Sequence, residues 1–127
     1  MSIFDETEDL AIGIQILRFL QLLCENYNSD MQNYMRIQPG EIESYNLVGD
    51  ILQLFDCLCG SLTCNYDLLG LLWINQDNIR MVNQVLATLT EFCQGPCREN
   101  QHKIISHDSN AIDLVVALVV CLLKNLS

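Results

Sequence analysis

Apolar residues recur at helical and not strand spacing along nearly the whole chain. The first stretch begins near Asp5 or Thr7, where Asp5 and Glu8 have capping-box spacing, and runs through Leu10, Ile14, Leu17 and Phe19 to about Glu25. Apolar side chains nearly encircle it, which predicts a helix sandwiched between others and not a surface helix. A short helix is expected over about Asp30–Ile37, stopped by Pro39-Gly40 and followed by a polar loop, EIES (residues 41–44). The third runs from about Ser44 to Cys59 with Val48, Ile51, Leu52, Phe55 and Leu58 at helical spacing, and Gly60 ends it. Residues 61–75 have a weak pattern, and the apolar NYDLLGLLW (residues 65–73) holds Gly70, which suggests a turn or a short helix. Asn75 or Asp77 then caps a long helix to about Gln94, with Ile79, Val82, Leu86, Leu89 and Cys93 on one stripe and Gly95-Pro96 as its stop. A short segment near Glu99–Ser106 precedes a fifth and last helix, capped by Ser109 or Asn110 and favoured by Asp113 in its first turn. No segment alternates with a period of two. The expected fold is all-α, an armadillo-like solenoid segment or a helical bundle.

Length and charge narrow the function classes. The 127 residues are enough for one domain with its own core, and the whole chain, 1–127, is expected to be one. Asp and Glu outnumber Lys and Arg by 16 to 6, a formal net charge of −10, which argues against nucleic acid and multiply phosphorylated ligands. The longest apolar run, Leu114–Leu123, is roughly half the length that spans a bilayer, so a buried helix or the truncated start of one is expected there. The acidic start, MSIFDETEDL, lacks the basic and apolar regions of a secretory leader.

Seven cysteines, an odd number lying mostly among apolar residues, fit reduced core thiols in a cytosolic setting better than a disulfide scaffold. Cys93 and Cys97 in CQGPC could begin a zinc site completed by His102 or His107. A helix end followed by a turn explains them as well, with the histidines solvated or capping. Trp73 and Tyr66 read as packing residues, and DETED (residues 5–9) as a solvated helix start. Neither a hydrolase triad nor a Gly-rich phosphate loop is present, so no enzyme is expected.

Two carboxylates stand apart. Glu25 closes the apolar run FLQLLCEN (residues 19–26), and Glu91 lies inside LATLTEFCQGPC (residues 86–97). Each must reach water, a basic partner or a cation. On spacing alone they are either solvent-facing helix ends or two hard donors that folding could bring together for calcium. Two carboxylates supply at most about four of the six to eight oxygens calcium takes, so such a site would be incomplete without another domain.

Three stretches, FLQLLCENYNSDMQNYMR (residues 19–36), YNLVGDILQLFDCLCGS (residues 45–61) and LTEFCQGPCRENQ (residues 89–101), closely resemble the RIH-associated domain of inositol trisphosphate and ryanodine receptors. The resemblance covers about Leu17 to Asp113, and LLGLLWINQDNI (residues 68–79) and NQHKIISHDSNAID (residues 100–113) look like the inositol trisphosphate receptor branch. It implies a cytoplasmic regulatory piece of a homotetrameric calcium-release channel of the endoplasmic reticulum, coupling ligand and calcium binding to the gate. It also implies an activating calcium site at Glu25 and Glu91, completed by the channel's C-terminal domain, with Gln94 in a supporting polar position. Tyr27 stands where relatives usually have His. The end LVVALVVCLLKNLS departs from the family pattern and suggests truncation within a longer helical array. The alternative is a free-standing helical protein-interaction domain without a calcium role.

Overall fold

Helix α4 (Ile79–Cys93) is central to the described fold because its buried residues form one broad face. Met81, Val82, Val85, Thr88, Leu89 and Phe92 are all buried, an arc wide enough to take neighbours on two sides. The structure, a computed structural model, describes residues 6–59, 76, 78–109 and 111–125. Within these residues α1 (Glu6–Leu23) packs on one side of α4, and α3 (Leu47–Leu58) and α5 (Arg98–Ser106) on the other. The last helix, α6 (Ala111–Asn125), closes against α3 and α5, and the six-residue α2 (Ser29–Tyr34) rests on α5. The fold is all-α.

The core is shared by these helices. Phe55, Leu52 and Val48 from α3 meet Val82, Val85 and Phe92 from α4, with Leu17 from α1 and Leu114 from α6 in the same cluster. Burying each such side chain contributes about 1.5–3 kcal/mol.

The direction of α1 against α4 has a functional consequence. A Cβ on Gly13 would fall 2.3 Å from Met81 Cε, Thr88 Oγ1 lies 3.1 Å from the Leu17 carbonyl oxygen, and a Cβ on Gly95 would fall 3.3 Å from Tyr27 Cδ1. These pairs ascend together in both segments. The two helices therefore run parallel and finish at the same end. Their seam is also polar: Gln84 Nε2 donates to Gln21 Oε1 at 2.8 Å and to Thr88 Oγ1 at 3.0 Å, and Thr88 Oγ1 shares its proton between the Leu17 and Gln84 carbonyls.

Local chemistry sets the helix ends. After α1 the chain turns through Asn26 (φ 60°) and Tyr27 (φ 55°), two residues in the left-handed region, which costs about 1–2 kcal/mol each without glycine. Asn28 Oδ1 then accepts from Met31 N at 3.2 Å and starts α2; Asn46 Oδ1 accepts from Gly49 N at 3.1 Å and starts α3.

Several sequence expectations need correction. Helix α1 is not sandwiched among the described residues: Ile12, Ile16, Phe19 and Leu22 are exposed, because α4 covers only its other face. Among its described side chains helix α6 buries Ala111, Leu114 and Ala117 and leaves Ile112, Val116 and Val119 open, so that part of it is not fully buried. The segment at 98–106 is a full helix, making six described helices where five were expected. Helix α3 starts at Leu47 behind Asn46 and not near Ser44, and the buried face of α4 turns toward Val85 and Phe92, leaving Ile79 exposed. Ser109 does not cap α6, since its buried Oγ has no hydrogen-bond partner. The Asp5 cap, the capping choices Asn75, Asp77 and Asn110, the ending Gly60, the 61–75 segment with Tyr66 and Trp73, and Cys121's side chain lie outside the described residues.

Replacing Thr88 by Val keeps the side-chain shape but strips the α1–α4 seam of its hydroxyl. It should cost about 1–2 kcal/mol in urea unfolding, because the Gln84 amide and Leu17 carbonyl lose a buried partner. An unchanged midpoint would show that the seam is held by apolar contact alone.

Candidate functional site

A helix ends with carbonyls that find no partner in their own ladder. At the end of α4 the carbonyls of Glu91, Phe92, Cys93 and Gln94 are met by donors from beyond the helix. Gln32, the buried residue of α2, donates Nε2 to the Glu91 carbonyl at 2.9 Å and to that of Gln94 at 2.6 Å. Asn100, fully buried on α5, donates Nδ2 to the Phe92 carbonyl and to the Gln32 carbonyl, both at 2.8 Å. The Cys93 carbonyl accepts from Cys97 N at 3.0 Å and from Gln101 Nε2 at 2.9 Å. Arg36 completes the network by donating Nη1 to Asn100 Oδ1 at 2.7 Å and Nη2 to Asn33 Oδ1 at 3.1 Å. Two buried amides and one guanidinium thus bind α2, α4 and α5 into one unit.

This unit positions Glu91, and the parallel packing positions Glu25. Glu91 stands in the last turn of α4, and Glu25 two residues beyond the end of α1, where its N–H still donates to the Leu22 carbonyl at 3.3 Å. Both are half-buried. Neighbouring contacts place the two segments side by side: Tyr27 lies over Gly95, whose φ of +120° leaves room for the ring, and the Glu91 charge is felt at Cys24. Gln94 caps α4 in extended conformation with its side chain exposed. The structure therefore brings Glu25, Glu91 and Gln94 to one end of the α1–α4 pair. Neither helix carries a basic residue in its last turn. No hydrogen bond from a described residue reaches either carboxylate.

That placement gathers negative charge at one end of the helix pair. The C-terminal end of a helix carries roughly half a negative charge, and two such ends meet here with two carboxylates added. The donors are hard oxygens, which suit calcium or magnesium better than softer metals. Among the described residues no group of three or more His, Cys, Asp or Glu side chains is arranged around one metal position. Two carboxylates alone make a partial site.

The thiols here are inert in character. Burial first, then the Glu91 charge and Cys97, pushes the Cys24 thiol up from 9.0 to about 11. Burial, then Cys97, raises Cys93 to about 11, and burial, then Asp56, does the same for Cys59. The free Cys93 and Cys97 form a helix end and turn, Cys97 giving its S–H to Asn33 Oδ1 at 3.8 Å. His102 is exposed, and His107 Nδ1 accepts from Ser109 N at 3.1 Å, holding the α5–α6 turn. An apolar cleft of about 520 Å³ lies between α3, α4, α5 and α6, and Cys93 is its one ionisable lining group.

Sequence reasoning singled out the two glutamates and Gln94, which lie at one end of the α1–α4 pair, but did not single out Gln32, Arg36 and Asn100. One clue was available for Gln32: it shares a helical face with Met31 and Met35, where an amide is out of place unless it is bonded.

Comparison with known proteins identifies the family. The family described as RyR and IP3R Homology associated matches residues 7–119. The chain is also similar to the inositol 1,4,5-trisphosphate receptor itr-1 of Caenorhabditis elegans, 41% identical over 119 residues, which is 94% of this chain and 4% of the relative. The chain thus corresponds to a small part of that relative's length.

Gln32→Leu should leave the Glu91 and Gln94 carbonyls without their donor and cost about 2–4 kcal/mol in urea unfolding; a loss below about 0.5 kcal/mol would show that water replaces the amide. The raised thiols give a pH dependence of definite sign. The folded chain holds the Cys24, Cys59 and Cys93 protons more tightly than the unfolded chain, so stability is complete below about pH 9 and falls as pH rises toward about 11. Alkylation with site mapping below that range should modify exposed Cys57 well before buried Cys24 and Cys59.

Proposed function

The chain belongs to the RyR and IP3R Homology associated family, and on that premise we propose that it is a regulatory, gate-coupling module of an inositol 1,4,5-trisphosphate-gated calcium-release channel. Residues 1–127 act as one helical unit of a much larger homotetrameric channel, on the cytoplasmic face of the endoplasmic reticulum membrane. No described helix is long and apolar enough to cross a membrane. We assign the module no catalytic activity.

In this reading Glu25 and Glu91 are two ligands of a calcium site that the channel's C-terminal domain completes, and Gln94 supports it as a neighbouring polar group. The observation that carries it is the meeting of two helix C-terminal ends, each with a carboxylate and neither with a basic residue in its last turn. Bound calcium would neutralise that concentration of negative charge. The chain's own residues do the rest. Gln32 and Asn100 fix the end of α4, and so the backbone that carries Glu91, while the Tyr27–Gly95 contact fixes the Glu25 loop beside it. A site finished by a second domain binds best when the two parts are apposed, and by linkage calcium then favours that apposition. The exposed apolar faces of α1 and α6 fit a module with neighbours in a longer helical array.

The test uses the full-length channel containing this segment, with calcium-activated flux as readout. Glu25→Gln and Glu91→Gln should each raise the calcium needed for activation by at least about tenfold, the equivalent of about 1.4 kcal/mol of binding. Activation unchanged in both variants would reject the assigned ligands. The isolated chain should bind calcium only weakly, and tight saturable binding there would contradict a site completed by another domain.

A further inference from the structure

The loop between α2 and α3 is held far more firmly than its polar sequence requires. Gln38, only 8% exposed, is its staple. Its Nε2 donates to the carbonyls of Tyr34 and Tyr45, and its Oε1 accepts from Tyr45 N at 2.6 Å and from Ser44 Oγ at 3.2 Å. The Gln38 N–H donates in turn to Ser44 Oγ at 2.9 Å, and the Met35 carbonyl accepts from Leu47 N at 2.8 Å. A loop tied at so many points has little freedom left to lose on binding.

What this rigid loop presents is specific in chemistry. A cleft of about 340 Å³ opens between Tyr34, Gln38, Glu41, Glu43, Tyr45 and Leu47. Its two tyrosines are about half-exposed or more, and Tyr45 O–H donates to Glu43 Oε2 at 3.4 Å. Two carboxylates enter the lining and no Lys or Arg does. The closest cation in sequence, Arg36, is already committed to Asn100 and Asn33 on the side facing α5. Beside the cleft, Ile42 stands fully exposed at the loop tip between the two glutamates.

We propose that this cleft is a docking site for a basic, partly apolar peptide segment, which sets an arginine side chain against Tyr34 and Tyr45 with Glu41 and Glu43 as its counter-charges. Arginine fits better than lysine because its planar guanidinium stacks on aromatic rings and pairs with carboxylates through several N–H groups at once. An apolar neighbour of that arginine covers Ile42. The chain's net charge of −10 draws a cationic partner toward the surface before contact. The site is separate from Glu25 and Glu91 and does not depend on their role.

The experiment is a titration of the isotope-labelled whole chain, followed by backbone amide resonances, in the presence of a calcium chelator. The probe is a terminally blocked Leu-Arg-Arg-Leu peptide, and Leu-Glu-Glu-Leu is the control. The arginine peptide should produce saturable shifts confined to residues 34–47, weakened by added salt, while the acidic peptide produces none. A Glu41→Gln, Glu43→Gln double variant should bind at least about tenfold more weakly, and a Leu-Lys-Lys-Leu peptide several-fold more weakly than its arginine counterpart. Both glutamates are exposed, so the variant folds, and unchanged resonances outside the loop verify that. Shifts scattered over the surface, equal binding by the acidic peptide, or unaltered affinity in the double variant would overturn the proposal.

Discussion

The carbonyls at the end of α4 find their donors on other segments, and that pairing organises the molecule around it. A buried helix terminus with open carbonyls would lose about 1–3 kcal/mol for each unpaired group. Gln32, Asn100 and Gln101 remove that cost from three directions, and in doing so they fix where α2 and α5 sit relative to α4. Because Asn100 also binds the Gln32 carbonyl and receives Arg36, the donors are themselves held in place. Short helices such as α2 have little stability of their own. Here one is retained by what its glutamine does for a neighbouring helix.

The second constraint follows from the direction of α1. Parallel packing on α4 is made possible by the close approach at Gly13 and the polar seam at Thr88, and it puts two negative helix ends together instead of cancelling one against the other. An antiparallel arrangement would have set each dipole against its opposite. Glu25 and Glu91 then add full charges to the unfavourable end. In the proposed reading a cation bound at that end would neutralise this charge.

Much of this was legible in the sequence, and the gaps have physical causes. Helical spacing in α1, α3 and α4 located those elements to within a few residues. The segment Arg98–Ser106 was underrated because Ile104 is the one apolar side chain it packs against the core, and its place rests on hydrogen bonds from Asn100 and Gln101 to the end of α4, which local periodicity does not report. Helix starts were misplaced where Asn28 and Asn46 serve as caps, both available to a reader of the sequence. The open faces of α1 and α6 show a different limit: periodicity identifies a face that wants cover but not whether the covering element lies within the chain. Glu25 and Glu91 stood out because carboxylates amid Leu, Phe and Cys are conspicuous. Gln32 and Asn100, which hold the site, look like ordinary surface amides until the fold is known.

The most direct test of the central claim, that α1 and α4 bring two carboxylates to one cation position, is paramagnetic broadening by manganese(II), an oxygen-seeking stand-in for calcium. Traces of the ion added to the isotope-labelled chain should broaden the amides of residues 24–27 and 91–95 together, and Glu25→Gln should relieve the broadening around Glu91 as well as around itself. Broadening of one segment without the other, or relief confined to the substituted segment, would mean that the two glutamates act separately and would contradict the account.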